Sequence, residues 1–199
     1  LCLAGGVAMN CKMNGYLSSQ PEIGRVFVQP ASSDNGTALG AAMLCAREDG
    51  VKAFKPMTHC YLGTGFDNEQ IQRVLDESKM SYRKSRDIIN EVAEMLVAGK
   101  IVGWFQGRAE VGARALGARS ILASPLILDM REKLNREVKH REIWRPFCPS
   151  LPAENYHTYF GDVAQSDFMI LAFPVVEAFR DAIPAVVHVD GTARPQAVR

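Results

Sequence analysis

No run of apolar residues in this sequence approaches the roughly 20 that a membrane-spanning helix needs, so no membrane partner is expected. Strong charge of either sign is missing as well: 23 Lys and Arg stand against 22 Asp and Glu over 199 residues, a formal net charge of +1. General binders of nucleic acid or membrane surfaces usually carry an overall basic excess, which argues against those classes and against DNA as a partner. The four histidines show no HxxxH or similar spacing and the five cysteines no CxxC, so no complete set of metal ligands is legible. An odd number of cysteines, mostly in apolar runs, reads as reduced thiols in a cytoplasmic protein. Neither a GxSxG nor a Walker A motif occurs, and no internal repeat, low-complexity tract or secretory leader is visible.

What is present supports one or two globular domains with ordinary cores, since 47% of the residues are hydrophobic. Residues 1–49 read as strand, helix, strand, helix. "LCLA" is a short buried strand, "AMNCKMNGYL" a helix, "RVFVQP" a second strand, and "SSDNG" a turn or cap cluster that opens the apolar helix "TALGAAMLCARE". Residues 50–66 have no periodicity and read as a linker. Asp67 with Gln70 then resembles a capping box, ahead of an apolar stripe at Ile71, Val74 and Leu75. Ile89, Val92, Ala93, Leu96 and Val97 follow helical spacing, and Gly99 supplies a stop. "KIVGWFQG" and "SILASP" read as strands, "MREKLNREVK" as a charged helix, and "DFMILAFPVV" and "AVVHVD" as later strands. The alternation predicts an α/β chain of two incomplete domains. "LCLAGG" opens at once as a strand and "HVDGTARPQAVR" stops without a closing element, so the chain is expected to be part of a longer one.

Positive charge is gathered in one segment. Residues 108–145 hold nine Lys or Arg against five Asp or Glu, a local +4 that leaves −3 for the rest. Within it, "GRAEVGARALGAR" (residues 107–119) threads Arg108, Arg114 and Arg119 among Gly107, Gly112 and Gly117. Guanidinium presents a planar fork that matches carboxylate or phosphate oxygens, and glycines let backbone N–H groups approach the same anion. The alternative is ordinary pairing with Glu110 or other acids, which contributes little at a surface. The stretch "VKHREIWRPFCPS" interleaves Lys139, Arg141 and Arg145 with Trp144 and Phe147. Such a mixture serves a phosphate pocket, an RNA surface where rings stack on bases, or a plain packed loop. Two basic loops in one α/β unit favour a convergent pocket. "LAGGVAMN" places a Gly-Gly turn before a helix, a geometry that meets phosphate or simply turns tightly. Asp34 is either a helix cap or a metal ligand, and Cys148 reads as a packed thiol.

Taken together, "LAGGVAMN", "GRAEVGARALGARSILASP", "LNREVKHREIWRPFCPS" and "HVDGTARPQ" resemble the O-carbamoyltransferase family of the nodulation-factor, tobramycin and cephamycin carbamoyltransferases. The likeness runs over nearly the whole chain. It implies the C-terminal tail of an actin/hexokinase-like ATPase domain over residues 1–60, followed by a YrdC-like twisted α/β domain over 61–199, both incomplete. It further implies that carbamoyl phosphate and ATP are converted to carbamoyladenylate and that the carbamoyl group passes to an acceptor hydroxyl. By position in the matching motifs, Arg114, Lys139, Arg145 and Arg194 look like carbamoyl phosphate ligands, and Gly5, Gly6 and Asn10 like nucleotide contacts. Asp34 resembles one ligand of an iron ion whose other ligands lie outside this chain. Ala113 and Ala118 depart from the more usual Pro and Asn, "SSDNG" is a less usual version of the segment around the aspartate, and a downstream "NTSFN"-type segment is not found. The 199 residues alone are therefore expected to bind the anion weakly without turnover. The alternative is an RNA-binding YrdC-like module. The acceptor and the oligomeric state are not legible.

Overall fold

Strand pairing is brief throughout the chain, and helices and loops carry most of the packing. The computed structural model describes residues 1–199. β1 (Cys2–Leu3) lies parallel to β2 (Phe27–Val28), with α1 (Cys11–Ser18) between them in the chain. α2 (Thr37–Glu48), α3 (Asn68–Glu77) and α4 (Ile88–Val97) follow. β3 (Val102–Phe105) then pairs antiparallel with β4 (Arg119–Leu122), Val102 opposite Leu122 and Phe105 opposite Arg119. α5 (Met130–Lys133) widens into a π turn over Leu134–Val138. The remaining elements are β5 (Ser150–Pro152), α6 (Tyr156–Phe160), β6 (Phe173–Pro174), α7 (Glu177–Arg180), β7 (Thr192–Ala193) and β8 (Gln196–Val198). β5 runs parallel to β8 and β6 antiparallel to β7. The class is mixed α/β, built on four separate two-stranded sheets.

Local signals hold where a side chain can satisfy the backbone. Asp67 accepts from the Gln70 amide at 2.7 Å while the Gln70 side chain accepts from the Asp67 amide at 2.9 Å, completing the capping box of α3. Asn10 accepts from the Met13 amide at 3.1 Å, so the helix read from "AMNCKMNGYL" starts only at Cys11, after a 3-10 turn over Gly6–Met9. Asp34 is not the cap of α2; it opens a 3-10 turn, and its carbonyl accepts from Thr37 Oγ1 at 2.6 Å.

Other expectations fail where burial and pairing part company. "AVVHVD" is a run of turns, although Ala185 and Val186 are buried. "DFMILAFPVV" keeps only Phe173–Pro174 as strand. These apolar residues enter the core one at a time, without a ladder partner. "LCLA" is paired but not buried, and α2 has no buried residue despite its apolar composition.

The main core gathers Ala8 and Val28 from the first thirty residues with Tyr156, Phe160, Leu171, Phe173, Val175, Ile183, Val186, Ala193 and Ala197. Ala172 N–H donates to Cys11 C=O at 3.0 Å, and the fully buried Asn14 donates to Ala8 and Ile170 carbonyls at 2.7 and 3.0 Å. A Cβ on Gly15 would lie 2.0 Å from the Ala172 oxygen, so only glycine allows this approach. The amino-terminal segment is thereby seated against the carboxyl-terminal one, beside the loop between β3 and β4.

Candidate anion-binding site

Short strands β3 and β4 fix the ends of the arginine loop, and each of its three guanidinium groups has a different fate. Arg108 donates from Nε to Gly63 C=O and from Nη2 to Leu62 C=O, both at 2.9 Å. It thus ties the loop to residues 60–65, which had read as linker. Val111 N–H also donates to Cys60 C=O at 2.7 Å, and Tyr61 Oη to Leu116 C=O at 2.7 Å. Arg119 donates from Nε to Glu110 Oε2 at 2.8 Å and from Nη2 to Glu110 C=O at 2.6 Å. Ordinary pairing therefore accounts for these two.

Arg114 is the exception. It forms no hydrogen bond or ion pair within the chain, yet it is half-buried in the wall of a cavity of about 590 Å³. Burial and then the nearby Arg194 lower its pKa. The same wall holds Lys139, Arg141 and Arg194, together with Phe147 and Cys148. No Asp or Glu lines it. A hollow of similar size, between residues 18–24 and 162–164, has no Lys or Arg in its wall.

Each cation arrives from a different element. Lys139 ends the π turn and has no side-chain partner. Asn135, fully buried, gathers the stretch beyond it: its Nδ2 donates to the Ile143 and Arg145 carbonyls at 3.1 and 2.8 Å, and its Oδ1 accepts from Arg141 Nε at 2.6 Å. Arg141 lies 4.9 Å from the centre of the Phe147 ring, a cation–π distance. Its pKa is lowered by burial and then by Arg145. Arg194 follows β7 and reaches Cys148 Sγ at 3.0 Å from Nε and 2.9 Å from Nη2. Four positive side chains with no carboxylate among them repel one another in a partly desolvated space, and an anionic guest relieves that repulsion.

Of the residues singled out in sequence, the structure therefore brings Arg114, Lys139 and Arg194 together. Arg145 is not in the wall; its side chain is half exposed and 3.9 Å from Glu142. Trp144, expected to interleave with the cations, is 70% exposed. Gly5, Gly6 and Asn10 are exposed on the amino-terminal segment, and positions of added Cβ atoms on the two glycines meet nothing within 4 Å. The Gly5 N–H is already spent on Ser32 C=O at 2.5 Å, and Asn10 Oδ1 is occupied by the cap of α1. Asp34 is exposed, and no group of three His, Cys, Asp or Glu side chains able to hold a metal occurs in the chain. The arginine loop meets this segment where Gly112, at φ 113°, backs onto Pro30; a Cβ there would lie 3.0 Å from the Pro30 oxygen.

Sequence reasoning missed the two polar residues that shape the wall, Glu110 and Asn135. Asn135 interrupts a charged helical run with a short amide, a residue type that favours caps and turns over helix interiors. Glu110 was visible only as a pairing partner.

Two family descriptions match the chain: carbamoyltransferase C-terminus over residues 93–199 and carbamoyltransferase N-terminus over residues 1–43. Nodulation protein NolO of Bradyrhizobium diazoefficiens is 40% identical over 100% of this chain and 37% of its own length. Nodulation protein NolNO of Sinorhizobium fredii is 39% identical over 100% of this chain and 30% of its own. An uncharacterized protein of Synechocystis is 37% identical over 100% of this chain and 37% of its own. The chain thus spans about a third of the length of these relatives.

Proposed function

The chain belongs to the carbamoyltransferase family, and from that premise we propose that its cationic cavity binds carbamoyl phosphate for O-carbamoyl transfer. The observation that carries this reading is a wall with Arg114, Lys139, Arg141 and Arg194 and no carboxylate. Carbamoyl phosphate is a small dianion, and each charge-assisted hydrogen bond to it contributes about 1.5–3 kcal/mol. In the proposed reaction carbamoyl phosphate, ATP and water give carbamoyladenylate, phosphate and pyrophosphate. An acceptor hydroxyl then attacks the carbonyl carbon and displaces AMP.

In this reading Arg114, Lys139 and Arg194 hold the phosphate and spread the negative charge that grows on it as it departs. Arg145 precedes Pro146, which is in the wall, and its loose contact with Glu142 leaves it free to join them. Gly5, Gly6 and Asn10 belong to a nucleotide site. Residues 1–60 form the end of an actin/hexokinase-like domain and 61–199 a YrdC-like domain. Asp34 would contribute one carboxylate to an iron ion whose other ligands would come from outside these residues, and no step here runs through the metal.

Calorimetric titration of carbamoyl phosphate into wild type and Arg114→Ala tests the proposal. Loss of one such contact is worth about 2 kcal/mol, roughly thirtyfold in affinity. Equal affinities overturn the proposed pocket. An affinity for RNA that collapses as salt rises would instead favour a nucleic-acid module.

A further inference from the structure

No hydrogen bond or ion pair within the chain holds the Arg114 guanidinium, yet the backbone that carries it is held tightly. The holder is Glu110, whose side chain is fully buried. Its Oε1 accepts from the amides of Leu116, Ala118 and Arg119 at 2.7, 2.7 and 3.2 Å. Its Oε2 accepts from Arg119 Nε at 2.8 Å. These bonds run from four residues before Arg114 to two, four and five residues after it. They close the loop into a ring with Arg114 at its free side. Gly112 and Gly117, at φ 113° and 106°, give that ring its two sharp bends.

Glu110 also sorts the charge. By occupying Arg119 it keeps that guanidinium out of the cavity, while Arg108 is spent on the Leu62 and Gly63 carbonyls. Arg114 is left as the one unpaired arginine of the loop. We infer that Glu110 is the positioning residue for the anion: its buried carboxylate fixes the direction of Arg114 without touching the guest. The inference rests on the carbamoyl phosphate reading of the cavity and adds to it the group that makes the cavity selective in geometry. A loop freed from Glu110 would expose three amides to poor partners and let Arg119 compete for the guest.

The test is a double-mutant cycle read by carbamoyl phosphate calorimetry on the full-length protein, with Glu110→Gln, Arg114→Ala and both together. Glu110→Gln is expected to weaken binding about tenfold or more while the stoichiometry of the folded protein stays the same. The double variant is expected to bind no more weakly than Arg114→Ala. Loss of fold stability is expected in either case, so the dissociation constant decides: a purely structural role would lower the stoichiometry and leave the dissociation constant unchanged, which overturns the inference. Losses that multiply in the double variant also overturn it, because Glu110 would then act elsewhere. If Arg114→Ala itself binds as wild type does, the cavity reading fails; if only Glu110→Gln is silent, Glu110 alone loses its role. Should Glu110→Gln fail to fold, Glu110→Asp keeps the charge but falls one methylene short of the amides, and it is expected to show an intermediate loss. Wild-type affinity in that variant overturns the inference.

Discussion

Replacing Glu110 by Gln should destabilise the fold most at neutral pH and progressively less as the solution is acidified. Burial alone would push this carboxyl up; hydrogen bonds from Arg119 and from the Leu116 and Ala118 amides outweigh it and hold the pKa at about 2, against an ordinary 4.5. Each tenfold change in proton affinity is worth about 1.4 kcal/mol, so the ionised carboxylate contributes about 3 kcal/mol to the folded state near neutrality. Because the folded value lies below the unfolded one, that contribution is complete above pH 4.5 and is lost as pH falls through about 2. Asp190, held low by Lys12 and Thr192, and Glu91, held low by Arg83 and Ser85, titrate on the same acidic side. The informative quantity is therefore the difference between wild type and variant. Urea unfolding followed by tryptophan fluorescence should show that difference shrinking by about 2 kcal/mol between pH 7 and pH 3. A gap of equal size at both ends would refute the claim that the buried group is an ionised carboxylate held by donors.

Two further outcomes follow from the packing. Asn135→Ala removes the side chain that joins Arg141 to the Ile143 and Arg145 carbonyls, and it should cost about 1–3 kcal/mol in denaturant unfolding and weaken anion binding in calorimetry. Unchanged binding would show that Arg141 does not need this anchor. Gly15→Ala would normally favour a helix by about 1 kcal/mol, but the new methyl would meet the Ala172 carbonyl at 2.0 Å. A net loss of about 1–3 kcal/mol is expected from the urea midpoint, and a gain would contradict the tight seating of α1.

The two basic loops were legible in sequence because charge was concentrated among glycines and prolines, and their occurrence in one α/β unit already favoured a convergent pocket, whereas Arg194 was drawn in only by the family likeness. The structure places Arg114, Lys139 and Arg194 in one cavity wall. Arg141 and Arg145 illustrate what sequence spacing does not carry. His140 turns through a left-handed backbone at φ 47°, and Asn135 draws Arg141 back toward the wall while Arg145 is left outside. That choice is made by a turn and a buried amide, not by periodicity. Helices α3 and α4 were readable from caps and spacing. The strands after residue 165 were not, because apolar residues there fill the core without pairing in ladders.

The most direct measurement is a crystal structure of the full-length protein soaked with carbamoyl phosphate. The account predicts phosphate oxygens within about 3 Å of nitrogen atoms of Arg114, Lys139 and Arg194, with Glu110 still bonded to the Leu116 and Ala118 amides. Carbamoyl phosphate seated elsewhere, with this cavity holding only solvent, would contradict it.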